Sequence, residues 1–149
     1  MNKVLLAIAF ILLSISLAAP QHRRPEPAPD DWLIVTLTKN KAYFYKPSQV
    51  RKIGRIRKVW LKGIPAGEED RLAYIEKQES IGAHVDYSGY VYSMAFWDVD
   101  CTQDKLRIIE VKDYNQYNQL IFSAKPKRLE WVNIVPDSVG DNLSKLVCK

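Results

Sequence analysis

Two cysteines place the strongest constraint on how this chain can fold. They are the only cysteines among 149 residues, Cys101 at the end of a long apolar stretch and Cys148 next to the last residue. Exported proteins keep disulfides, whereas the cytosol keeps thiols reduced. The role of the two cysteines therefore depends first on where the chain is sent.

The first 18 residues have the pattern of a cleavable secretory signal. Lys3 supplies a positive start, residues 4–13 form an apolar run, and Ser16 and Ala18 are the small residues that a signal peptidase requires. An uncleaved anchor is the alternative, but the run is shorter than the roughly 20 residues of a membrane span. We expect cleavage after Ala18 and a secreted or periplasmic mature chain without a transmembrane span. Because no cysteine lies near that site, we expect no lipid anchor.

Residues 19–30 are expected to form a Pro-rich tether. Four of them are proline, a composition that favours extended polyproline conformations and cannot build a core. Residues 31–149 then form a single domain, long enough to bury one hydrophobic core. The formal net charge of +5 permits an anionic partner but does not by itself identify one.

Short runs of β-branched and aromatic residues, separated by turn residues, predict an antiparallel sheet. The predicted strands are residues 32–38, 43–45, 55–61, 90–99, 106–111 and 118–124, with a short edge piece at 130–135. Helices are predicted at 66–80, which has acids in its first turns, and at 137–149, which has an apolar stripe. The fold class is therefore α+β, with the C-terminal helix on one face of the sheet and one further short helix.

The strand at 90–101 offers a face on which the C-terminal helix can lie. Alternation places Val91, Ser93, Ala95, Trp97, Val99 and Cys101 on one face and Tyr90, Tyr92, Met94, Phe96, Asp98 and Asp100 on the other. A disulfide between Cys101 and Cys148 would close a loop of about 48 residues and contribute roughly 4 kcal/mol. An ideal helix directs Cys148 away from its apolar stripe, so the helix must end near Val147. Two free thiols and an intermolecular bridge are the alternatives.

The order of several short segments resembles the surface-adhesin protein E family. These segments are "WLIV", "YFYKPSQV", "IRKVW", "DVDC" and "WVNIVPDSVGDNLSKLVC", and the resemblance runs from Trp32 to Cys148. It implies an antiparallel sheet with a C-terminal helix fastened across one face by a disulfide. It also implies an exported protein of Gram-negative bacteria and, in the namesake branch, an outer-membrane adhesin for host matrix proteins. This chain departs from that branch because it has no lipidation cysteine.

The sequence contains few groups from which a catalytic site could be built. His84 is the single histidine after residue 30, and no phosphate loop or paired C-x-x-C motif is present. Asp98 and Asp100 could bind Ca²⁺ or act in acid–base chemistry, but we interpret them as a solvated strand end. We therefore expect no enzyme activity, no cofactor and no metal site.

A basic segment at 51–62 is the first candidate binding site. Its cations are Arg51, Lys52, Arg55, Arg57, Lys58 and Lys62. With Trp60 among them, they could bind an anionic glycan or another anionic envelope component. The alternative is a solvated edge strand that resists aggregation. Alternation separates Arg55 and Arg57 from Lys58 and Lys62, so one flat patch does not follow.

An aromatic face at 87–96, with Tyr87, Tyr90 and Tyr92, is the second candidate site. Something must cover this face, and the candidates are the helix at 66–80, a second copy of the chain in a homodimer, or a ligand.

We expect an exported, non-enzymatic binding module, which adheres to host or envelope components through a protein or anionic glycan partner. The alternative is a periplasmic binder of polyanions or of a small ligand. Nucleic acid is not expected as a partner.

Overall fold

The computed structural model describes residues 31–82 and 85–149. The expected signal peptide (1–18) and tether (19–30) lie outside these residues, as does His84. Within the described ranges, neither helix has the length and apolar character needed to cross a membrane.

Within these residues, eight strands pair in antiparallel fashion to form one sheet. They are β1 (Leu33–Leu37), β2 (Lys41–Tyr45), β3 (Arg51–Ile53), β4 (Ile56–Pro65), β5 (Tyr90–Asp100), β6 (Lys105–Asn115), β7 (Leu120–Ala124) and β8 (Val132–Asn133). The helices are α1 (Glu68–Ser80) and α2 (Val139–Val147), and a 3-10 turn spans Pro47–Gln49. The strand order is β1-β2-β4-β5-β6-β7, with β3 also on β4 and β8 also on β6. This architecture confirms the predicted fold class.

A tight hairpin joins β3 to β4, and the sequence analysis did not predict β3. Ile53 pairs with Ile56, so only Gly54 and Arg55 form the turn. Gly54 has a φ of +54°, a left-handed conformation that glycine adopts at little cost. β2 and β3 pair with the same edge of β4, one after the other. The 3-10 turn at Pro47–Gln49 connects them and therefore lies beside the sheet.

Both helices pack on the same face of the sheet, which we call the helix face. α2 covers one end, and Leu143 and Val147 of α2 are buried there. The other buried members of this cluster are Tyr45, Val59, Leu61, Val99 and Leu106. Gly140 allows the close approach, because a Cβ atom at this position would lie 2.5 Å from Cδ2 of Leu106.

α1 covers the other end of the helix face, above Tyr87 and Tyr90. Tyr74 of α1 stacks on Tyr90 with ring centroids 4.5 Å apart. The Tyr74 hydroxyl donates to the Asp113 carboxylate at 3.0 Å, and the Tyr87 hydroxyl donates to it at 2.8 Å. Asp113 is only 1% exposed, so the two hydroxyl groups provide the hydrogen bonds that a buried carboxylate requires.

A β-bulge at Val91 turns Tyr90 toward the helix face. Simple alternation puts Tyr90 and Tyr92 on one face, but β6 pairs with them through consecutive residues and leaves Val91 without a partner. An extra residue of this kind moves the side chains on its two sides to opposite faces. The expectation that Tyr87, Tyr90 and Tyr92 share one face is therefore wrong. Tyr87 and Tyr90 are core residues under α1, and only Tyr92 stays on the other face.

The predicted disulfide between Cys101 and Cys148 is present. Helix α2 ends at Val147, and Cys148 is its C-cap residue, with its Cα 5.4 Å from that of Cys101. The helix thus ends at Val147, as the predicted disulfide requires. The bond ties the last turn of α2 to the end of β5.

Replacing Cys148 with serine should lower the free energy of unfolding by about 2–5 kcal/mol, the usual range for a native disulfide in a small domain. Because α2 is short and depends on packing, its amides should also exchange faster with solvent. Urea denaturation and hydrogen exchange measure the two effects. A reductant should reproduce the loss in the wild-type chain and leave Cys148→Ser unchanged. Equal stability of the wild type before and after full reduction would contradict the prediction.

Burial also changes the acid–base behaviour of the tyrosines under α1. It raises the pKa of Tyr74 to about 12, with a further contribution from the negative charge of Asp113. Burial likewise raises the pKa values of Tyr87 and Tyr90 above the usual range. In the unfolded chain these hydroxyls ionise near pH 10, so the unfolded state loses protons first as the pH rises. The contribution of Tyr74 to stability is therefore complete below about pH 10 and is lost progressively as the pH rises through about 12.

Stability should therefore fall between pH 9 and pH 11, and Tyr74→Phe should show a smaller fall than the wild type. Urea midpoints at the two pH values measure both. The comparison with the variant separates the effect of Tyr74 from the general loss of lysine charge at high pH. An identical fall in the two proteins would show that Tyr74 does not titrate differently in the folded state.

Candidate functional site

The second face of the sheet has no helix over it in the described residues, and we call it the open face. Its side chains come mainly from the central strands β4, β5 and β6, whose register arranges them in cross-strand rows. The residues that define it are Lys58, Trp60, Lys62, Tyr92, Met94, Phe96, Asp98, Arg107, Glu110, Lys112 and Tyr114. It joins parts of the two segments that the sequence analysis treated as separate candidate sites.

Aromatic rings on the open face form two stacked pairs across neighbouring strands. Trp60 stacks on Phe96 with centroids 4.8 Å apart and 27° between the planes. Tyr92 stacks on Tyr114 at 5.0 Å and 15°. All four residues are half-buried, so each pair leaves part of its surface exposed to solvent. Such a stacked pair contributes about 0.5–1.5 kcal/mol of stability beyond that from burial of its apolar area. This interaction holds the rings in place.

Lys62 lies between aromatic rings and forms no salt bridge within the described residues. Its Nζ is 4.1 Å from the ring centroid of Tyr92 and 5.7 Å from that of Trp32. Burial lowers the pKa of its ammonium group below the usual value. Lys62 is therefore a partly desolvated cation that the fold itself does not neutralise.

Lys112 and Glu110 add one charge of each sign beside the rings. Lys112 Nζ lies 3.3 Å from a Glu110 oxygen and 5.1 Å from the ring centroid of Trp60. Glu110 also accepts a hydrogen bond from the Ser123 hydroxyl at 3.3 Å. This side of the open face therefore offers an acceptor as well as a cation.

Asp98 anchors one end of the open face through a buried ion-pair network. It is 0% exposed, and its carboxylate contacts Lys58 Nζ at 2.7 Å and the Arg107 guanidinium at 2.8 Å. The Arg107 guanidinium lies 4.4 Å from the ring centroid of Trp131. The expectation of a solvated strand end at Asp98 and Asp100 is wrong, because both are buried. Burial of Asp98 is tolerated because two cations compensate its charge.

The structure separates the six cations of the basic segment. By strand register, Arg51, Lys58 and Lys62 lie on the open face, Lys52 and Arg57 on the helix face, and Arg55 in the turn. Two of them are already neutralised, Lys58 by Asp98 and Arg55 by Asp100 at 2.9 Å. The Arg57 guanidinium donates to the backbone carbonyl of Gly54 at 2.8 Å. The segment is therefore not one basic patch, and Arg51 and Lys62 are the cations that it leaves to the open face.

A groove of about 580 Å³ opens beside Trp60 and Phe96. Its other lining residues are Ser48, Gln49, Arg51 and Glu110. A second cavity of about 150 Å³ shares Trp60 and Gln49 with the groove, and Met94, Lys112 and Tyr114 complete its lining. The open face thus contains a concave region in which aromatic rings lie among polar and charged side chains.

The open face carries groups that can contact a ligand. It can hold an anion at its cations and contact a flat, partly apolar group at its rings. Across residues 31–82 and 85–149, no set of three or more His, Cys, Asp or Glu side chains is arranged to hold a metal ion.

Comparison with known proteins identifies the family of the chain. Residues 32–149 match the sequence profile of the family described as surface-adhesin protein E. The chain belongs to this family. Membership supports an adhesin-like binding role for an exported protein and favours binding over catalysis, and it confirms the resemblance found in the sequence. None of the curated proteins matches the chain significantly.

Solved structures of the family share the fold at low sequence identity. The structure of Haemophilus influenzae protein E is 14% identical, with a TM-score of 0.56 over 84% of this chain and 89% of the other. Crystal form II of the same protein is 11% identical, with a TM-score of 0.51 over 81% and 93%. Protein E from non-typeable Haemophilus influenzae is 14% identical, with a TM-score of 0.50 over 84% and 82%. At these identities the likeness concerns the fold alone.

Several residues on or beside the open face were not assigned to a candidate site from the sequence. Trp32 was placed in a strand without a role, and Glu110, Lys112 and Tyr114 were assigned to a strand end and a loop. Ser48 and Gln49 appeared within a segment that carries the family resemblance and were given no binding role. The alternation of side chains along 110–114 could have indicated that these residues act together, since Glu110, Lys112 and Tyr114 fall on one face. What it could not supply is the register that places them next to Phe96, Met94 and Tyr92.

Proposed function

We propose that the chain is an exported, non-enzymatic adhesin module that binds an anionic host or envelope partner through the open face. The observation that carries this proposal is Lys62, a cation held among aromatic rings with no acidic partner in the described residues. A partly desolvated ammonium group gains most from an anion that arrives with a ligand, because the local dielectric constant is low. Family membership supports the binding role, and the open face supplies the surface.

The distribution of charge favours an anionic partner over a second copy of the chain. In a twofold homodimer the same patch meets itself, so contact through the open face would bring the cations of both copies together. An anionic partner would instead meet Arg51, Lys62 and Lys112. The exposed aromatic surface then adds contact area that does not depend on salt.

A periplasmic protein that binds polyanions is the second candidate. The same open face would serve it, so the site does not separate the two. Location does, because an adhesin must be displayed. We propose that residues 1–18 are removed on export, that residues 19–30 form the tether and that residues 31–149 are the displayed domain.

Lys62→Gln should weaken binding to heparin, used as a model polyanion, by about tenfold, because a hydrogen bond to a charged group contributes about 1.5–3 kcal/mol. Lys77→Gln is the matched control, since it removes the same charge from an exposed position on α1 and should change binding little. Heparin-column elution and calorimetry at several salt concentrations measure the effect, and binding should fall as salt rises. Equal losses in the two variants would indicate net charge alone and contradict the proposed surface.

The exported protein should begin at Ala19, and external protease should degrade it on intact cells. Intact mass measures the first, and immunoblotting after protease treatment measures the second, with a periplasmic marker as the control for cell integrity. A mass that retains residues 1–18 would contradict the processed form. Full protection on intact cells, with degradation after lysis, would contradict display and support the periplasmic alternative.

A further inference from the structure

The geometry points to the groove beside Trp60 as a site for an acidic oligosaccharide, a chain of sugar rings that carries sulfate or carboxylate groups. This inference rests on the proposed function and names the ligand class of the same face. Three properties of the groove support it: an aromatic floor, a rim of both donors and acceptors, and cations at its ends.

The aromatic floor is formed by two rings that are only partly buried. Trp60 and Phe96 stack on each other, are both half-buried and line the same groove. The C–H groups on one side of a pyranose ring carry partial positive charge, and aromatic faces carry the negative part of the ring quadrupole. A sugar ring can therefore lie against the ring face that Trp60 turns away from Phe96, and Trp60 also lines the smaller cavity.

The rim contains groups that match hydroxyls as well as anions. Ser48 and Gln49 from the 3-10 turn can donate and accept, and Glu110 on the opposite side can only accept at neutral pH. A hydroxyl group can donate to Glu110, whereas the carboxylate of an acidic peptide would be repelled by it. This mixed rim distinguishes a polyhydroxylated ligand from a simple polyanion.

Cations lie where the anionic groups of such a ligand would be placed. Arg51 lines the groove and forms no salt bridge in the described residues, and Lys112 lines the adjoining cavity. Lys62 lies in the next cross-strand row, opposite Met94, which lines the same cavity. The groove volume of about 580 Å³ lies within the roughly 300–1,000 Å³ of typical ligand sites. Space and charge thus suit a short acidic oligosaccharide.

Four probes test the assignment by calorimetry. They are a heparin tetrasaccharide, with sulfate and carboxylate, a galacturonate tetrasaccharide, with carboxylate only, a neutral chitin tetrasaccharide, and tripolyphosphate, an anion without a sugar. At least one of the two acidic sugars should bind. Comparison of their affinities identifies which anionic group the site recognises. The neutral sugar and tripolyphosphate should bind about tenfold more weakly, the loss expected when one set of charge-assisted or stacking contacts is absent.

The tryptophan indole N–H signals in NMR spectra locate the site. The acidic sugar should shift the signal of Trp60 and leave that of Trp97, which lies on the helix face beside α2, unchanged. Trp60→Phe assigns the first signal and preserves a ring at the position. This readout reports on the groove and not on total charge.

Arg51→Gln and Lys52→Gln form a matched pair, because the two residues are adjacent, exposed and directed to opposite faces of β3. Arg51→Gln should weaken the acidic sugar about tenfold, and Lys52→Gln should not. Equal losses in the pair, or a shift at Trp97 in place of Trp60, would overturn the assignment. So would tripolyphosphate binding as tightly as the sugars, although that result would leave the proposed anion-binding function intact. Failure of heparin, tripolyphosphate and both acidic sugars to bind would overturn the proposed function as well.

Discussion

The pairing of β5 with β4 and β6 determines which side chains reach each surface of the domain. Two irregularities in this pairing, at Val91 and between Phe96 and Trp97, shift the register by one residue each. The first sends Tyr90 into the core beneath α1. The second keeps Glu110 beside Phe96 while Leu106 stays under α2. Because side chains alternate with a period of two, one extra residue decides between core and surface, and the proposed binding surface depends on both irregularities.

Because both helices pack on one face of the sheet, the other face is exposed to water and must limit its exposed apolar area without a helix. It does so with stacked rings and with lysine ammonium groups that lie over ring faces. Lys62 over Tyr92 and Lys112 over Trp60 are the clearest examples. These contacts limit exposed apolar area without burying the rings completely. The features that keep the open face compatible with solvent are therefore the same ones that can contact a charged, flat ligand.

Local patterns predicted the elements that depend on neighbouring residues. The apolar stripe of α2, its end at Val147 and the Cys101–Cys148 bond all follow from residue spacing and from the compartment. Features that depend on pairing between distant strands did not follow. Tyr90 was misplaced because the bulge beside it has no composition signal, and Lys112 was overlooked because its neighbours come from other strands. Asp98 appeared solvated because the sequence does not show that Lys58 and Arg107 meet at one carboxylate.

The number of charges along the sequence overestimates how many cations the basic segment offers to a ligand. Six cations within twelve residues suggest a polyanion site, yet two of them compensate the buried carboxylates of Asp98 and Asp100. A cation that neutralises a buried carboxylate cannot be given to a ligand without leaving that carboxylate uncompensated, which costs several kcal/mol. Within this segment, the proposed capacity to bind an anion therefore lies with Arg51 and Lys62, which form no salt bridge in the described residues. Their separation along the open face, with Trp60 and its groove nearby, favours a ligand that presents several spaced anionic groups over a single small anion.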